Sequence, residues 1–220
     1  MLFYDAICPL VSKIHKEIIL LETQGYQIVM IGHEGHPEVE GTAGQLQDIS
    51  NLTLVQKLND VEQLYFPSDQ KIAYITQTTL SVFDTQEIVD ALEKKFPEIL
   101  APKKSDICYA TSNRQTSVQE MAKKVNAFFV IGAFNSSNSI RLVETAKKFG
   151  CEYSELIENI DDFDFQKLNQ FQSIGLTASA SAPEDQLNLF IDRAKENFNP
   201  EVVDYKEDEK IVFKVPNFLN

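Results

Sequence analysis

Two apolar stretches in different halves of the chain share one design, and they constrain its fold more than any other feature. Tyr26–Ile31 (YQIVMI) and Ala127–Ile131 (AFFVI) are short, rich in β-formers, and run directly into a glycine. A polar loop and a stretch with helical spacing of apolar residues follow each of them. Alternation of buried strands with helices is typical of parallel sheets joined by right-handed crossovers. The sequence therefore predicts an α/β protein of two similar lobes, each with a small parallel sheet flanked by helices.

Apolar spacing and turn residues predict the remaining elements, which alternate between strands and helices. The predicted strands are Leu52–Val55, Lys71–Thr76, Cys151–Leu156, Ser173–Thr177 and a tail strand, Ile211–Val215. The first predicted helix begins at Pro9 and carries Val11, Ile14, Ile18 and Leu21 on one face. A second helical stretch includes Val61–Tyr65, and a third helix runs from about Thr85 to Lys95 with Asp84 as its cap. The remaining predicted helices are Ser112–Val125, one that runs from the Asn135–Ser139 loop to about Lys148, Asp162–Phe171, and Pro183–Asn197. We predict a loop over His33–Glu40, because Gly35 and Pro37 disfavour a regular helix.

Two similar lobes imply a boundary near the middle of the chain, and we place it at Pro102–Lys104. No linker or low-complexity segment stands out elsewhere. We expect a remnant strand and loop in residues 1–8, one α/β lobe in 9–104, a second α/β lobe in 105–197, and a tail with one strand in 198–220.

The chain is acidic, with 20 basic against 33 acidic residues and a net charge of −13. A surface that negative repels nucleic-acid backbones, so we expect no nucleic-acid binding. No apolar run approaches the roughly 18–20 residues that cross a bilayer, and the first residues lack the basic and apolar regions of a signal peptide. We therefore expect a cytoplasmic protein without membrane contact, in which any phosphate site relies on helix N-termini, hydroxyls and imidazoles.

Polar clusters follow four of the predicted strands, at the sheet edge where open parallel sheets bind their ligands. Each cluster lies at or near a predicted helix start, where free N–H groups and the helix dipole favour an anion. Taken singly, such residues are ordinary helix caps and turns. Together, clusters rich in hydroxyls and amides but poor in lysine and arginine indicate a di- or triphosphate held by neutral donors; they are His33–Glu38, Gln77–Thr79, Asn135–Ser139 and Ser179–Pro183.

The His33–Glu40 segment carries two histidines and several carboxylates, and spacing alone leaves its role open. His33 and His36 could bind a metal, although their spacing is not that of the zinc proteases. Alternatively, one imidazole binds an anion while Glu38 protonates a leaving hydroxyl, provided that burial raises its pKa. Glu38 and Glu40 could also be a solvated pair. A metal-dependent phosphatase that uses His33, His36 and Glu38 is the alternative function that follows from the first interpretation.

Three cysteines form an odd and sparse set, which argues against a secreted disulfide framework. Cys8 directly precedes Pro9 at the first predicted helix, and Cys108 lies just before the first helix of the second half. Helix N-termini favour anions, and the thiolate is the form of cysteine that binds metals. Cys151 opens a strand, so we predict that it lies at the opposite sheet edge as a small buried hydrophobic residue.

Six motifs, in order along the chain, resemble those of the LytB-type 4-hydroxy-3-methylbut-2-enyl diphosphate reductases. They are Asp5–Val11 (DAICPLV), Gly32–Thr42 (GHEGHPEVEGT), Thr76–Ser81 (TQTTLS), Asp106–Gln115 (DICYATSNRQ), Asn135–Ser139 (NSSNS) and Ala180–Pro183 (ASAP). The match runs from residue 5 to about residue 215, and long motifs in a fixed order make the resemblance specific.

The resemblance implies three similar α/β lobes in a trefoil-like arrangement around a central cluster, and this chain would hold two of them. It implies an oxidoreductase of the methylerythritol phosphate pathway, which removes a hydroxyl from an allylic diphosphate with two electrons and two protons and yields isopentenyl and dimethylallyl diphosphate. The implied cofactor is a 4Fe–4S cluster held by three cysteines, with one iron open to the substrate. The implied partners are the small allylic diphosphate and reduced ferredoxin or flavodoxin as electron donor, and the implied state is a monomer.

Residue roles follow from the resemblance, motif by motif. It implies Cys8 and Cys108 as two cluster ligands, Glu38 as the proton donor, and Thr78 as a catalytic residue beside that carboxylate. The implied substrate-binding residues are His36, Thr78, Ser136, Ser137, Asn138 and Ser181. Neutral donors would hold the diphosphate while the acid protonates the departing hydroxyl, which agrees with the chemistry of the polar clusters.

The sequence departs from the family in one respect that bears on activity. The family's N-terminal lobe, with the first cluster cysteine and two further diphosphate-binding histidines, has no counterpart here. Cys151 matches no cluster motif, so the third ligand is absent from this chain. We therefore expect a fragment that is inactive alone or rescued by the missing lobe; the alternative is an inactive diphosphate-binding module that has lost its cluster.

Overall fold

The structure is a computed structural model that describes residues 7–204. The tail strand predicted at Ile211–Val215, and most of the remnant strand predicted in residues 1–8, lie outside the described residues. Among the described residues, no helix combines the length and the apolar character needed to span a membrane.

Within the described residues, the chain forms two three-stranded parallel sheets flanked by helices, which confirms the predicted fold class. The first half contains α1 (Pro9–Thr23), β1 (Gln27–Ile31), α2 (Pro37–Ala43), β2 (Leu52–Val55), α3 (Leu58–Gln63), β3 (Ile72–Thr76) and α4 (Val82–Lys95). The second contains α5 (Tyr109–Ala122), β4 (Ala127–Ile131), α6 (Ser137–Lys148), β5 (Tyr153–Ile157), β6 (Ile174–Ala178) and α7 (Glu184–Phe198). The strand orders are β2-β1-β3 and β5-β4-β6.

The two sheets repeat one another down to individual hydrogen bonds. Gly32 follows the central strand β1 and donates to Val55 at 3.0 Å, as Gly132 donates to Ile157 at 3.0 Å after β4. The backbone N–H of the residue after β3, Gln77, donates to the carbonyl of the last residue of β1 at 2.8 Å. The N–H of Ser179, after β6, donates in the same way to the last residue of β4 at 2.8 Å. The repeat predicted from two similar apolar stretches is therefore present at the carboxyl ends of the strands, where polar clusters gather.

Both faces of each central strand are buried, which explains why these strands are apolar without alternation. In β1, Val29 and Ile31 join the core beneath α3 and α4, while Ile28 and Met30 join the core beneath α1. In the second sheet, successive residues of β4 also enter two separate cores. Since each sheet is covered on both faces, its strand ends are the exposed edge that remains for ligand binding.

One predicted loop and one predicted helix start were wrong because the local capping was misjudged. The helix α2 begins at Pro37, within the segment predicted to be a loop. Proline is well suited to the first position of a helix and breaks a helix only when it lies farther inside it. The helix α4 begins at Val82 rather than near Thr85, because the hydroxyl of Ser81 accepts a hydrogen bond from the N–H of Asp84 at 3.2 Å. Asp84 therefore lies in the first turn and is not the cap.

Two further elements differ from the prediction. The helix α5 begins at Tyr109, which places Cys108 at the N-cap, whereas the sequence predicted a start at Ser112. The segment Asp162–Phe171 is not an α-helix; it contains the end of one 3₁₀ turn and a second 3₁₀ segment, Phe165–Gln170. The side chains of Asn159, just before the segment, and of Asp164 within it accept hydrogen bonds from nearby backbone N–H groups, which favours such short turns over a continuous helix.

Hydrogen bonds, an ion pair and packed rings join the two halves. The amide of the buried Gln115 on α5 accepts from the N–H of Val82 at 2.9 Å and donates to the carbonyl of Leu80 at 2.8 Å. The rings of Phe83 and Phe149 lie 4.7 Å apart in an edge-to-face arrangement. Next to them, α4 and α6 are joined by an ion pair of 2.6 Å between Asp84 and Lys148. These contacts fix how the two sheet edges face one another.

Gly175 is required by the pairing of β6 with β4. It lies opposite the fully buried Phe128, and a Cβ atom at this position would come within 2.5 Å of that ring. We expect Gly175→Ala to lower the free energy of unfolding by about 1–3 kcal/mol, as overpacking does. The matched control is Gly41→Ala on α2, where a Cβ atom meets nothing closer than 3.9 Å and we expect no loss. Urea unfolding measures both, and an unchanged midpoint for Gly175→Ala would contradict the prediction.

Candidate functional site

Polar residues from both halves meet at the carboxyl ends of the strands. Gln77 occupies the centre of this region, because its side chain is fully buried and bonds to both halves. Its amide oxygen accepts from the N–H of His33 at 3.1 Å, and its amide nitrogen donates to the hydroxyls of Thr79 at 2.9 Å and of Ser137 at 3.4 Å. Ser137, at the start of α6, also donates to the carbonyl of Thr79 at 3.2 Å. The start of the second repeat's helix is thereby fixed against the first sheet.

Glu38 and Thr78 form a bidentate contact across the first sheet edge. The N–H of Thr78 donates to one carboxylate oxygen at 2.7 Å, and its hydroxyl contacts the other at 2.9 Å. Burial raises the pKa of Glu38 above its ordinary value, and the two bonds from Thr78 offset part of that rise. A carboxyl group in this state is suited to hold a proton and release it to a nearby base.

His36 caps α2 through its ring, and this contact assigns the position of its proton. Its Nδ1 accepts a hydrogen bond from the N–H of Glu38 at 3.2 Å, so the proton of a neutral ring resides on Nε2. Burial lowers the pKa of His36, which favours the neutral ring. Burial also lowers the pKa of His33, with smaller effects from Arg141 and His36. The Nε2–H group of His36 is therefore a neutral donor, of the kind expected for an anion.

The start of α6 presents polar groups that the described residues leave without partners. Asn138 is 5% exposed, and neither its amide oxygen nor its amide nitrogen has a hydrogen-bond partner within residues 7–204. The hydroxyl of the fully buried Ser139 is likewise unpartnered in that part of the chain. Since buried polar groups nearly always have a partner, these groups point to a bound ligand or ordered water.

Ser136 and Ser181 flank these groups. Ser136 is the N-cap of α6, and its hydroxyl accepts from the N–H of Ser139 at 3.4 Å. Ser181 follows β6 and is exposed, with its hydroxyl 3.5 Å from that of Ser179. A Cβ atom at Gly132 would collide with the hydroxyls of Ser139 and Ser179, so glycine here allows the α6 start and the β6 end to approach. The second half thereby gathers hydroxyls, an amide and backbone N–H groups around one helix N-terminus.

The three cysteines occupy different environments. Cys108 is the N-cap of α5 and half-buried, and its N–H donates to the carbonyl of Thr78 at 2.9 Å, which places it beside the Glu38 contact. Cys8 is the N-cap of α1 with an exposed thiol. Cys151 is 1% exposed and lies two residues before the start of β5, at the opposite end of the sheet, where burial raises the pKa of its thiol. Two cysteines therefore lie at helix starts, and the third is a core residue.

The geometry gives little support to a metal site on His33, His36 and Glu38. The Nδ1 atom of His36 and both oxygens of Glu38 are engaged in hydrogen bonds. Among the described residues, no group of three histidine, cysteine or acidic side chains is arranged to hold a metal ion. Cys8 and Cys108 lie at the N-caps of α1 and α5, and their assignment as cluster ligands stays a prediction.

Sequence reasoning missed three residues of this region. Gln77 was grouped with its neighbours but given no role, although a buried polar residue directly after a strand end was a usable signal. Asp106 and Gln115 belong to the Asp106–Gln115 motif, yet only Cys108 was singled out there. Their burial and their bonds to the first half depend on how the two halves pack, which a single sequence does not reveal.

Comparisons with known proteins agree with the fold and the motifs. The family described as LytB protein matches residues 1–195. The 4-hydroxy-3-methylbut-2-enyl diphosphate reductases of Ruegeria sp. (strain TM1040) and Ehrlichia ruminantium (strain Welgevonden) are 47% and 45% identical to this chain; the matches cover 100% and 98% of it, and 69% and 65% of the relatives. The structure of the E-1-hydroxy-2-methyl-but-2-enyl-4-diphosphate reductase from Plasmodium falciparum matches with a TM-score of 0.91 and 35% identity, over 98% of this chain and 68% of that one. The chain therefore belongs to the LytB family, that of the 4-hydroxy-3-methylbut-2-enyl diphosphate reductases, and is by family an oxidoreductase.

Proposed function

We propose that this chain contributes to the reductive dehydroxylation of 4-hydroxy-3-methylbut-2-enyl diphosphate to isopentenyl and dimethylallyl diphosphate, the last step of the methylerythritol phosphate pathway. The C–O bond of the allylic alcohol breaks, two electrons and two protons enter, and water leaves. The observation that supports this most is the presence of a half-buried acid, Glu38, at the carboxyl edge of the first sheet and of a partnerless amide, Asn138, at that of the second. One group suits proton delivery and the other suits the binding of an anion by neutral donors.

The diphosphate is proposed to lie at the start of α6, where the dipole and free N–H groups favour it. Asn138 and the hydroxyls of Ser136, Ser137 and Ser181 are its proposed ligands, together with the Nε2–H of His36. This set carries no formal charge, so the site binds the anion without a lysine or arginine. Such binding leaves the diphosphate fixed while the other end of the substrate reaches Glu38.

Glu38 is proposed to protonate the departing hydroxyl, so that water rather than hydroxide leaves. The hydroxyl of Thr78, 2.9 Å from one carboxylate oxygen, is able to relay that proton by exchanging its donor and acceptor roles. The N–H of Thr78 holds the other oxygen, which fixes the orientation of the acid. Thr78 therefore orients the acid, and its carbonyl also accepts a hydrogen bond from the backbone N–H of Cys108.

Cys8 and Cys108 are proposed to hold a 4Fe–4S cluster. When bound, such a cluster would pass on the two electrons of the external donor one at a time and would offer a Lewis-acidic iron to the hydroxyl. Cys151 is buried before β5, so the third thiolate is proposed to come from outside this chain's own cysteines. Reduced ferredoxin or flavodoxin is the proposed electron donor, and the proposed state is a cytoplasmic monomer built from lobes 9–104 and 105–197.

Anaerobic reconstitution tests this proposal. The chain is loaded with iron and sulfide alone, and together with the part of the Ruegeria relative that it does not match. We expect a brown protein with substantially more iron in the complemented sample, and reduction of the allylic diphosphate only there. Cys8→Ser and Cys108→Ser should abolish the iron, whereas Cys151→Ser is the matched control and should retain it. A complemented sample that stays colourless while wild-type chain folds would refute the proposal.

A diphosphate-binding module without a cluster is the second candidate, favoured by the absence of a three-ligand metal group among the described residues. It predicts that the complemented sample binds the allylic diphosphate by calorimetry but takes up no iron. The same preparation therefore separates the two functions.

A further inference from the structure

An ion pair with one buried partner joins the two segments that carry Cys8 and Cys108, since the Lys13 side chain is 38% exposed and that of Asp106 is buried. The Lys13 ammonium lies 3.0 Å from one carboxylate oxygen of Asp106, whose side chain is fully buried. The second oxygen of Asp106 accepts a hydrogen bond from the N–H of Thr76 at 3.2 Å. The carboxylate thus contacts α1 and the edge strand β3 at the same time.

The two partners stand close in sequence to the two cysteines. Lys13 lies on the second turn of α1, which begins directly after Cys8, and Asp106 is two residues before Cys108. The segment that leads into α5 follows the edge of β3, because Leu100 bonds to both Ile72 and Tyr74 along the same strand. Asp106 continues this contact at the end of β3, immediately before the backbone bond of Cys108.

We propose that Lys13 and Asp106 form a clasp that positions the starts of α1 and α5, and with them the thiols of Cys8 and Cys108, for one shared cluster. The proposal rests on the function proposed above, because it assigns a positioning role toward the same cluster. Lys13 and Asp106 need not touch the cluster or the substrate. They act by fixing the two helix starts that carry its ligands.

The bonding pattern favours this role over a general contribution to stability. The core of the first sheet is complete without the pair, since α1 already packs on that sheet through Ile14, Ile18 and Leu21. Those contacts hold α1 from Ile14 onward against the first sheet, whereas the Lys13 contact ties the same turn to the segment before α5, which that core does not include. A buried carboxylate that loses its cation is costly, so the pair is held closed while the chain is folded.

Crosslinking of the two thiols by dibromobimane, a short bifunctional alkylating reagent whose two arms reach thiols several ångströms apart, measures the clasp without any cluster. The test uses the full chain with Cys151→Ser, so that Cys8 and Cys108 are its remaining cysteines. We expect Asp106→Asn to slow bridging about tenfold. A change of this size is usual when one of two directly interacting residues is removed. Asparagine retains an oxygen for the N–H of Thr76, which protects the fold. Lys13→Met should give the same loss, and Lys13→Arg should restore most of the rate.

The control is Asp84→Asn, which breaks the other ion pair between the halves, that with Lys148. We expect it to leave the bridging rate unchanged. Urea unfolding of every variant separates lost positioning from lost folding. Equal bridging rates in wild type, Asp106→Asn and Asp84→Asn would overturn the clasp. The clasp would also be overturned if Asp106→Asn and Asp84→Asn slowed bridging to the same extent.

Iron loading of the complemented chain distinguishes failure of the clasp from failure of the function. If Asp106→Asn binds a cluster with the electron paramagnetic resonance spectrum of wild type and bridges equally fast, the clasp is wrong and the function stands. If bridging depends on Asp106 but the wild type binds no iron, the clasp stands and the function fails. Absence of bridging in the wild type would show that the two thiols are not neighbours, which contradicts both.

Discussion

Glu38→Gln is expected to lower turnover of the allylic diphosphate by about 100- to 10,000-fold, the usual contribution of a general acid. Glutamine keeps the shape of the side chain, and its amide can still bond to both groups of Thr78, but it has no proton to give. Turnover is measured under reducing conditions on the chain complemented with the unmatched part of the Ruegeria relative. Glu40→Gln is the matched control, since Glu40 is exposed on the same helix and should retain full turnover.

The same variant makes a prediction about stability that needs no cluster. Because burial raises the pKa of Glu38 above its ordinary value of 4.5, the folded chain holds this proton more tightly than the unfolded chain. The stability that this group contributes is therefore fully present below the ordinary value and declines as the pH rises through the raised value. The unfolding free energy of Glu38→Gln minus that of wild type should increase across this window and then level off. A difference that is constant with pH would contradict the buried acid.

Asn138→Asp is expected to weaken binding of the allylic diphosphate by at least about 100-fold, because a like charge facing an anion costs several kcal/mol. The change preserves the size of a side chain that is almost wholly buried, so the loss reports charge rather than shape. Calorimetry of the complemented chain, with the allylic diphosphate and with inorganic pyrophosphate as ligands, measures it. If the affinities for the allylic diphosphate and for pyrophosphate fall by similar factors, Asn138 contacts the diphosphate part of the ligand.

Asn169→Asp provides the control for Asn138→Asp. It adds the same charge to an exposed 3₁₀ segment that precedes β6, away from the carboxyl ends of the strands. We expect an unchanged affinity for both ligands. If the two variants lose affinity equally, the net charge of the chain and not the start of α6 governs binding, and the proposed role of Asn138 is wrong.

The central strands were the part of the fold that the sequence predicted best, because burial on both faces makes them largely apolar. Tyr26–Ile31 and Ala127–Ile131 correspond to β1 and β4 within one residue. Helix starts were less predictable, since Ser81 and Asp84 are both good caps and only the hydrogen bond in the folded chain selects the serine. The 3₁₀ turns near Phe165 were missed because local side-chain bonds override the apolar spacing there.

In the candidate site, too, the residues that belong to local motifs were predictable from the sequence, whereas contacts between distant parts of the chain were not. Sequence motifs indicated Glu38, Thr78 and Asn138, and their roles stay predictions. The contacts that surround them were not predictable, because Gln77 and Asp106 act between residues far apart in the chain. Charge composition indicated only that any anion site must be local, and the site proposed at the start of α6 is of that kind.

The repeated architecture assigns different chemistry to equivalent positions of its two copies. Pro37 and Ser137 open the short helix after each central strand, so that Glu38 and Asn138 occupy the same step of each copy. One sheet edge therefore offers an ionisable carboxyl group where the other offers an uncharged amide. A molecule with a negative head and a reactive alcohol at its far end can enter such a cleft in only one orientation without placing its head against the acid.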